Sequence, residues 1–447
     1  MTAVPMTGVP MTGASVTGAS PDRGHRTDTR PITPTRPIAP KEQHRAQHTL
    51  SAQQATDVGV DLPMTVLVQE TAPERAPARV LARIAGVGTA STAEVHTQSE
   101  VLEALGVTDP KVRSVFLNSA IERRHLTLPE PGPDGLRHPE PQGDLLDKHK
   151  RLALEMGAEA LLACLQNAGR SLSDLAHLTC VTTTGFLTPG ISALLIRELG
   201  IDRHCSRADI VGMGCNAGLN ALNVVNGWSV AHPGELAVVL CTEACSAAYA
   251  LDSSMRTAVV NSLFGDGAAA VALVSEATAP STPADPSTPS TSPGPSTASG
   301  DGPRILKFAS CIVTDAVDAM RYDWDRDQGR FSFFLDPQIP YVVGAHAEIV
   351  LDRLLDGTGL RRSDIGHWLV HSGGKKVVDA VVVNLGLRRH DVRHTTGVLR
   401  DYGNLSSGSF LFSYERLVRE GVTRPGDYGV LMTMGPGSTL ETALVQW

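Results

Sequence analysis

The sequence lacks several features that would each place it in a different class of protein. It has no basic excess, since 39 Lys and Arg stand against 47 Asp and Glu for a net charge of −8, whereas nucleic-acid-binding domains carry a clustered basic surface. It has no apolar run near the roughly 18–20 residues of a transmembrane helix, and its first 20 residues have neither the basic start nor the apolar stretch of an export signal. These absences predict a cytoplasmic protein that binds neither nucleic acid nor membrane.

Cysteine is also scarce, with 7 in 447 residues, and no two are spaced Cys-x-x-Cys. The sequence therefore shows neither a disulfide scaffold nor the common spacing of a zinc or redox site, and we expect no metal. Most isolated cysteines of this kind are buried as small apolar residues. One of them can still be chemically special.

Two stretches have too few large apolar residues to join a packed core. Residues 1–60 are rich in Thr, Pro, Ala, Gly and Gln, and residues 277–303 contain no Leu, Ile, Val, Phe, Tyr or Trp. Burial of apolar surface cannot offset the ordering entropy of such segments, so both are predicted to be disordered. We predict two ordered halves, 77–276 and 304–447, on either side of the low-complexity insert.

The patterning of the ordered halves predicts alternating strands and helices, hence an α/β sheet with helices on its faces. The halves also repeat details, which predicts a duplicated unit. Phe264-Gly-Asp-Gly precedes a strand in the first half, and Met434-Gly-Pro-Gly precedes one in the second. Each half also has a strand that delivers a reactive side chain to a helix start, Cys215 in the first and His371 in the second.

The segment GMGCNAG at 212–218 follows a predicted strand and opens a predicted helix. Such a glycine turn can bind the pyrophosphate of a dinucleotide, and Glu243 stands about where a ribose-binding acid is expected. Against this, the spacing is G-x-G-x-x-x-G and a cysteine occupies the turn. A thiol at a helix N-terminus is instead favoured as a nucleophilic thiolate. The turn alone does not separate a nucleophilic Cys215 from a buried structural one.

Two further polar residues stand beside glycines at the ends of predicted elements. His371 ends an apolar strand and is followed by Ser-Gly-Gly, which leaves space for a substrate beside the imidazole. Asn404 begins a predicted helix within YGNLSSGS. A polar strand end and an ordinary N-cap are the alternative interpretations. Because a thiolate nucleophile needs partners, the three residues together favour one shared site.

These motifs resemble the thiolase superfamily and, within it, the type III polyketide synthases of the chalcone synthase kind. The likeness covers most of residues 79–447 apart from the insert. The shared motifs, in the family's order, are GMGCNAG at 212–218, LFGDGAAA at 263–270, His371, GNLSS at 403–407 and GPG at 435–437. The sequence around these motifs most resembles the bacterial 3,5-dihydroxyphenylacetyl-CoA synthases of glycopeptide-antibiotic pathways. The resemblance implies a thiolase-like fold, with duplicated βαβαβ halves in a five-layered αβαβα sandwich.

The resemblance also implies roles for the three polar residues. Cys215 would carry the acyl chain, while His371 and Asn404 would hold the thioester carbonyl of malonyl-CoA during decarboxylation and condensation. Four malonyl units would give a tetraketide that closes by an aldol reaction. CoA thioesters would be the substrates, with no other cofactor, and a homodimer and crotonase-like partner proteins are expected.

Other residues match family positions around the cavity. Phe264 matches a residue at the mouth of the acyl cavity, and Ser406 and Pro436 match positions near the cyclisation pocket. The second aromatic gate of the plant members aligns with residues 247–249, so that gate is Tyr249 or absent. Plant members have Phe before the final Gly-Pro-Gly, where this chain has Met434.

A patch that binds the phosphates of CoA is expected near the tunnel mouth. Lys111 and Arg113 lie in the matching helix, with Arg123 and Arg124 just beyond it. A solvated helix face is the alternative interpretation for these cations.

Several rival functions stay open at this level. They are another type III polyketide synthase making tetrahydroxynaphthalene or an alkylpyrone, a ketoacyl synthase III-like enzyme, a dinucleotide-dependent oxidoreductase and a catalytically silent scaffold. Ketoacyl synthases of this kind usually follow the histidine with Gln-Ala-Asn, whereas Ser-Gly-Gly follows His371. A thiolase needs a second cysteine near the C-terminal glycine turn, and the last cysteine here is Cys311.

Overall fold

A computed structural model describes residues 80–135, 137–248, 255, 257–276 and 302–447. The predicted disordered segment 1–60, nearly all of the 277–303 insert and Tyr249 lie outside these residues. Within the described ranges, no helix is both long and apolar enough to span a membrane.

The strands of the described residues are β1 (Leu81–Ala90), β2 (Val95–Thr97), β3 (Arg123–His125), β4 (Leu175–Val181), β5 (Ser206–Ile210), β6 (Leu236–Glu243), β7 (Gly267–Glu276), β8 (Arg304–Ile312), β9 (Met320–Asp325), β10 (Arg330–Leu335), β11 (Ile365–Val370), β12 (Tyr428–Gly435) and β13 (Thr439–Gln446). The helices are α1 (Gln98–Ala104), α2 (Pro110–Leu117), α3 (Gln142–Asn167), α4 (Ile191–Leu199), α5 (Ala217–Ala231), α6 (Cys245–Ala248), α7 (Ala258–Leu263), α8 (Ile339–Leu355), α9 (Lys375–Leu385), α10 (Arg393–Tyr402) and α11 (Ser409–Glu420).

The main sheet has the strand order β11-β12-β13-β8-β1-β7-β6-β4-β5. It consists of two half-sheets that meet where Arg83 of β1 pairs with Arg304 of β8. In the first half, β4 runs parallel to β6, which runs antiparallel to β7, which in turn pairs antiparallel with β1. In the second half β11, β12, β13 and β8 repeat this arrangement in the same order. The duplicated unit predicted from the sequence is therefore visible in the strand pairing.

The helices and half-sheets form five layers. Alternate residues of β6 face opposite ways, because side chains alternate along a strand: Val238 and Leu240 pack with α3 and α4, whereas Ala237 and Val239 pack with α5 and α11. Leu431 of β12 faces the same central helices, and its neighbours pack against α8 and α9. The order α3/α4, sheet, α5/α11, sheet, α8/α9 is the predicted αβαβα sandwich.

One predicted correspondence between the halves is wrong. Cys215 follows β5, an edge strand with no counterpart among the described strands of the second half, whereas His371 follows β11, the counterpart of β4. The residue that matches Cys215 in the repeat is Asn404, since each precedes one of the two central helices, α5 and α11. The nucleophile candidate and the amide thus occupy equivalent helix starts, and His371 occupies the equivalent of the loop after β4.

Candidate active site

Cys215 lies in a 3-10 turn, Gly214–Asn216, that leads directly into α5. Gly214 has φ +76, and a Cβ added there would stand 2.2 Å from Cδ of Pro436, so the position requires glycine. A Cβ on Gly435 would stand 3.0 Å from the backbone nitrogen of Cys215. The Gly-Pro-Gly turn of the second half therefore packs directly on the cysteine turn of the first.

Hydrogen bonds connect Cys215 to the start of α11. Its Sγ lies 3.5 Å from Oγ of Ser406, and the side chain of Asn404 acts on the thiol by lowering its pKa. Oδ1 of Asn404 accepts the backbone N–H of Ser406 at 2.8 Å. This bond fixes the oxygen side of the amide, and the lowering of the thiol pKa is the effect expected of an amide that donates through its NH₂ group.

Burial affects the pKa of the Cys215 thiol more strongly than the start of helix α5 does. The residue is 8% exposed, and burial raises the pKa of its thiol to about 11, although the hydrogen bonds from Ser406 and Asn404 act to lower it. The thiolate expected from the helix N-terminus is therefore not the resting form. A neutral thiol at this position needs a base to take its proton when it attacks.

His371 lies in the loop after β11 and is 1% exposed. Its backbone N–H donates to the carbonyl of Met432 at 2.8 Å, and Oγ of Ser372 donates to the carbonyl of Gly403 at 3.2 Å. These bonds anchor the loop to β12 and to the residue before Asn404. Burial lowers the pKa of His371 to about 3, and its Nδ1 has no hydrogen-bond partner among the described residues. The site therefore holds a neutral imidazole, the state in which it can accept a proton.

Glu243, at the end of β6, is a site residue that the sequence analysis assigned only to the dinucleotide alternative. It is fully buried, and burial raises the pKa of its carboxyl to about 7. It accepts hydrogen bonds from the backbone N–H and Oγ1 of Thr183, at 2.9 and 3.1 Å, and from Oγ of Ser407. Oγ1 of Thr183 lies 2.8 Å from Oγ of Ser406. Glu243 is therefore linked to Cys215 through two hydroxyl groups and is not available to bind a ribose.

Phe264, 4% exposed, belongs to the small apolar cluster that contains Cys215. Its ring packs edge-to-face against Phe333 of β10, with centroids 6.0 Å apart. The second aromatic residue of the cavity entrance was expected near residues 247–249. Ala247 packs in the outer cluster with α3 and α4, and Tyr249 lies outside the described residues. Phe333 is thus the aromatic that the structure places beside Phe264.

The remaining predicted residues are more scattered. Pro436 contacts the cysteine turn as described above, but Met434 packs in the core against α8 and α9. It lies on the opposite face of β12 from the central helices, so it is not part of the site described here. The side chain of Lys111 is exposed, and Arg113 donates to the carbonyl of Val107 at 3.1 Å.

Arg124, expected near a phosphate patch, is instead 1% exposed. It cannot reach a ligand in solvent from that position.

Comparison with known proteins gives two family-model matches. The model of the N-terminal domain of chalcone and stilbene synthases matches residues 142–277. The model of their C-terminal domain matches residues 325–447.

Individual relatives are similar over most of the chain. The 3,5-dihydroxyphenylacetyl-CoA synthase of Streptomyces toyocaensis is 72% identical over 405 residues, which cover 87% of this chain and 100% of the relative. The enzyme of the same name from Amycolatopsis orientalis is 75% identical over 367 residues, covering 82% of this chain and 94% of the relative. Among solved structures, the 1,3,6,8-tetrahydroxynaphthalene synthase of Streptomyces coelicolor, a bacterial type III polyketide synthase, is 27% identical with a TM-score of 0.70, covering 82% of this chain and 99% of that one.

Proposed function

Because the chain belongs to the chalcone and stilbene synthase family of type III polyketide synthases, we propose that it converts malonyl-CoA into 3,5-dihydroxyphenylacetyl-CoA. The observation that carries the proposal is the contact between segments of the two halves: Sγ of Cys215 lies 3.5 Å from Oγ of Ser406, and Ser372, next to His371, bonds the carbonyl of Gly403, next to Asn404. The product is supported by the names of relatives that are 72% and 75% identical. The reaction has three stages, and each uses a different part of the site.

The first stage is acyl transfer to Cys215. The neutral thiol attacks the thioester carbonyl of an acyl-CoA while the imidazole of His371 takes its proton. Collapse of the tetrahedral intermediate breaks the bond to the CoA sulfur, which leaves with the proton that the imidazole holds. Because both residues rest in their neutral forms, no buried ion pair has to be maintained between turnovers.

The second stage is decarboxylation of malonyl-CoA and condensation. Loss of CO₂ leaves an electron pair that delocalises onto the thioester oxygen. The NH₂ group of Asn404 and an N–H of His371 donate hydrogen bonds to that oxygen, and such preorganised donors stabilise the enolate as it forms. The enolate carbon then attacks the Cys215 thioester, and the sulfur leaves. The lengthened chain remains on CoA until it returns to Cys215.

The third stage is ring closure. A carbon–carbon bond between the starter end of the tetraketide and the β-keto carbon of the thioester leaves two carbons outside the ring as an acetyl thioester. The β-keto oxygen leaves as water, and enolisation of the two remaining ketones gives the two phenolic hydroxyls of the aromatic ring. This aldol step needs a base near Cys215. The path Ser406–Thr183–Glu243 offers one, because two hydroxyl groups connect the carboxylate to the thioester position.

Replacing Glu243 by Gln is expected to lower ring closure by about 10²-fold, the scale of a lost general base, while malonyl-CoA consumption continues. In the wild type, ring closure should rise as the pH passes about 7, because burial raises the pKa of Glu243 to about 7 and its ionised form is the base. Product ratios from pH 6 to 8.5, read by liquid chromatography and mass spectrometry, give both quantities. Glu441→Gln is the matched control, since this buried carboxyl bonds Asn220 instead. An unchanged pH profile in Glu243→Gln would remove Glu243 from the reaction.

The overall proposal is tested by incubating the purified full chain with malonyl-CoA alone. We expect CO₂, free CoA and an aromatic C8 thioester, identified by mass spectrometry with ¹³C-labelled malonyl units. Tetrahydroxynaphthalene or an alkylpyrone would assign another type III synthase, and condensation only onto an acyl-carrier protein would assign a ketoacyl synthase. No CoA release, with crotonase-like partner proteins also supplied, would overturn the proposal.

The same proposal covers the assembly and location of the enzyme. We propose that the chain is a cytoplasmic homodimer that acts in antibiotic biosynthesis with crotonase-like partner proteins. The residues that line the acyl cavity would be Phe264, Phe333, Ser406 and Pro436, and Lys111 and Arg113 would contact the CoA phosphates. Analytical ultracentrifugation measures the assembly, and Lys111→Ala with Arg113→Ala tests the phosphate contacts through the KM for malonyl-CoA.

A further inference from the structure

Three consecutive carbonyl groups beside the site are each held by a donor from a different part of the chain. Nε2 of Gln98 donates to Ser262 at 2.7 Å. The backbone N–H of Asn404 donates to Leu263 at 2.9 Å. Nη1 of Arg124 donates to Phe264 at 2.7 Å. The backbone segment that contains Phe264 is therefore held by hydrogen bonds from three separate parts of the chain.

The two outer donors form a buried pair. Nη2 of Arg124 donates to Oε1 of Gln98 at 2.8 Å, and the two residues are 1% and 4% exposed. Burial lowers the pKa of Arg124 to about 9, while the nearby Asp266 carboxylate opposes that shift, so the guanidinium stays charged at neutral pH. A buried cation has a large desolvation cost. A charged arginine at this buried position is therefore expected to have a function that an apolar residue of similar size could not perform.

Arg124 also contacts the strand on the other side of the bridge. Phe264 and Asn404 form an isolated parallel β-bridge, in which the N–H of Gly265 donates to the carbonyl of Asn404 at 3.0 Å. A Cβ on Gly403, which has φ +74, would lie 2.9 Å from Cδ of Arg124. The stem of Arg124 thus packs against the residue before Asn404, and its guanidinium holds Phe264.

We propose that Arg124 and Gln98 are positioning residues of the condensation reaction. They fix the backbone bridge between Phe264 and Asn404, and so hold the Asn404 amide at Cys215. Neither side chain needs to touch the substrate. The inference rests on the proposed function for the reaction that it serves, but its geometric content concerns Asn404 and Cys215 alone.

Two conservative variants separate this role from simple stability. Arg124→Lys keeps the charge but cannot hold both Phe264 and Gln98, because an ammonium lacks the planar fork. Gln98→Met keeps the volume and removes the hydrogen bonds to Ser262 and from Arg124, together with those that Gln98 donates to Ser119 and Phe116. Arg151→Lys is the matched control, since Arg151 is an exposed arginine on α3 that pairs with Glu155. Thermal melting identifies any variant that is not folded at the assay temperature.

The first readout does not depend on malonyl-CoA. The Asn404 hydrogen bond lowers the pKa of Cys215, so a displaced amide should slow alkylation of Cys215 by iodoacetamide severalfold and move its pH profile to higher pH. Peptide mass spectrometry assigns the labelled cysteine. Alkylation at the wild-type rate in both folded variants would overturn the proposal.

The second readout is the split between kcat and KM. We expect kcat for elongation to fall by about 10-fold to 100-fold, the scale of a misplacement near 1 Å, with KM for malonyl-CoA within about twofold of wild type and Arg151→Lys unchanged. Lower melting temperatures with normal kcat would assign the pair a structural role only. If the wild type consumes no malonyl-CoA, the proposed function fails, while the alkylation result still decides the positioning claim.

Discussion

Replacing Cys215 by alanine is expected to lower chain elongation by at least about 10³-fold, because covalent intermediates no longer form and the loss of a nucleophile costs this much or more. Release of CO₂ from malonyl-CoA should continue at a measurable rate. The enolate needs His371 and Asn404, and neither depends on the sulfur for its anchoring: His371 is held by β12 and Asn404 by Ser406. Parallel assays of ¹⁴CO₂ release and of polyketide product measure the two activities separately.

The matched control is Cys245→Ala. Cys245 is buried in the same cluster as Cys215, so its replacement tests the effect of losing a sulfur from this part of the core. We expect elongation close to wild type. Elongation that survives in Cys215→Ala, or an equal loss in Cys245→Ala, would contradict the assignment of the nucleophile.

Replacing either His371 by Gln or Asn404 by Ala is expected to lower malonyl-CoA decarboxylation by about 10²-fold to 10³-fold, as found when one oxyanion donor is removed. The double variant should lose much less than the product of the two, because both donors act on one oxygen. Decarboxylation by the wild type should also show no loss from histidine protonation between pH 5 and 8. Burial lowers the pKa of His371 to about 3, so the ring is neutral above that value and charged only below it.

Two controls accompany these variants. His367 lies on β11, the strand before His371, and pairs with Asp427 at 3.0 Å, and Asn384 is an exposed amide on α9 that bonds the carbonyl of Ala380. We expect His367→Gln and Asn384→Ala to retain wild-type decarboxylation. A wild-type rate in either site variant, or an inflection near pH 6.5 that disappears in His371→Gln, would contradict the roles given to these residues.

The parts of the fold that the sequence predicts well depend on local patterns. Helix α4 is an example, because its apolar stripe is continuous over Ile191–Leu199 and Gly200, with φ +66, ends it. Cys215, His371 and Asn404 could be selected for the same reason. Each stands next to glycines at the end of an element, so the signal is contained in a few consecutive residues.

The parts that could not be predicted depend on contacts between distant segments. Glu243 ends a strand, as many acidic residues do. Its place in the site depends on hydrogen bonds from Thr183 and Ser407, which lie on other parts of the chain. Phe333 meets Phe264 because the β9–β10 hairpin packs against the cluster that contains Cys215. Two alternating segments, MRYDWD at 320–325 and RFSFFL at 330–335, were the available signal for that hairpin.

The Arg123–Arg124 pair shows a second limit. Two adjacent arginines suggest a charged surface, but they lie on β3, where successive side chains point to opposite sides. Arg123 therefore reaches solvent and Arg124 enters the core. The sequence alone does not predict this short strand, so it gives no reason to expect one arginine at the surface and the other in the core.

The equivalence of Cys215 and Asn404 in the repeat has an electrostatic consequence. The turns that precede α5 and α11 are in contact, since Sγ of Cys215 lies 3.5 Å from Oγ of Ser406, so the positive ends of two helix dipoles lie near the sulfur. The negative charge of the reaction passes from the malonyl carbanion to the thioester oxygen and then to the departing sulfur. Duplication of the fold thus gives the reaction two sources of positive potential without placing a cation in the site.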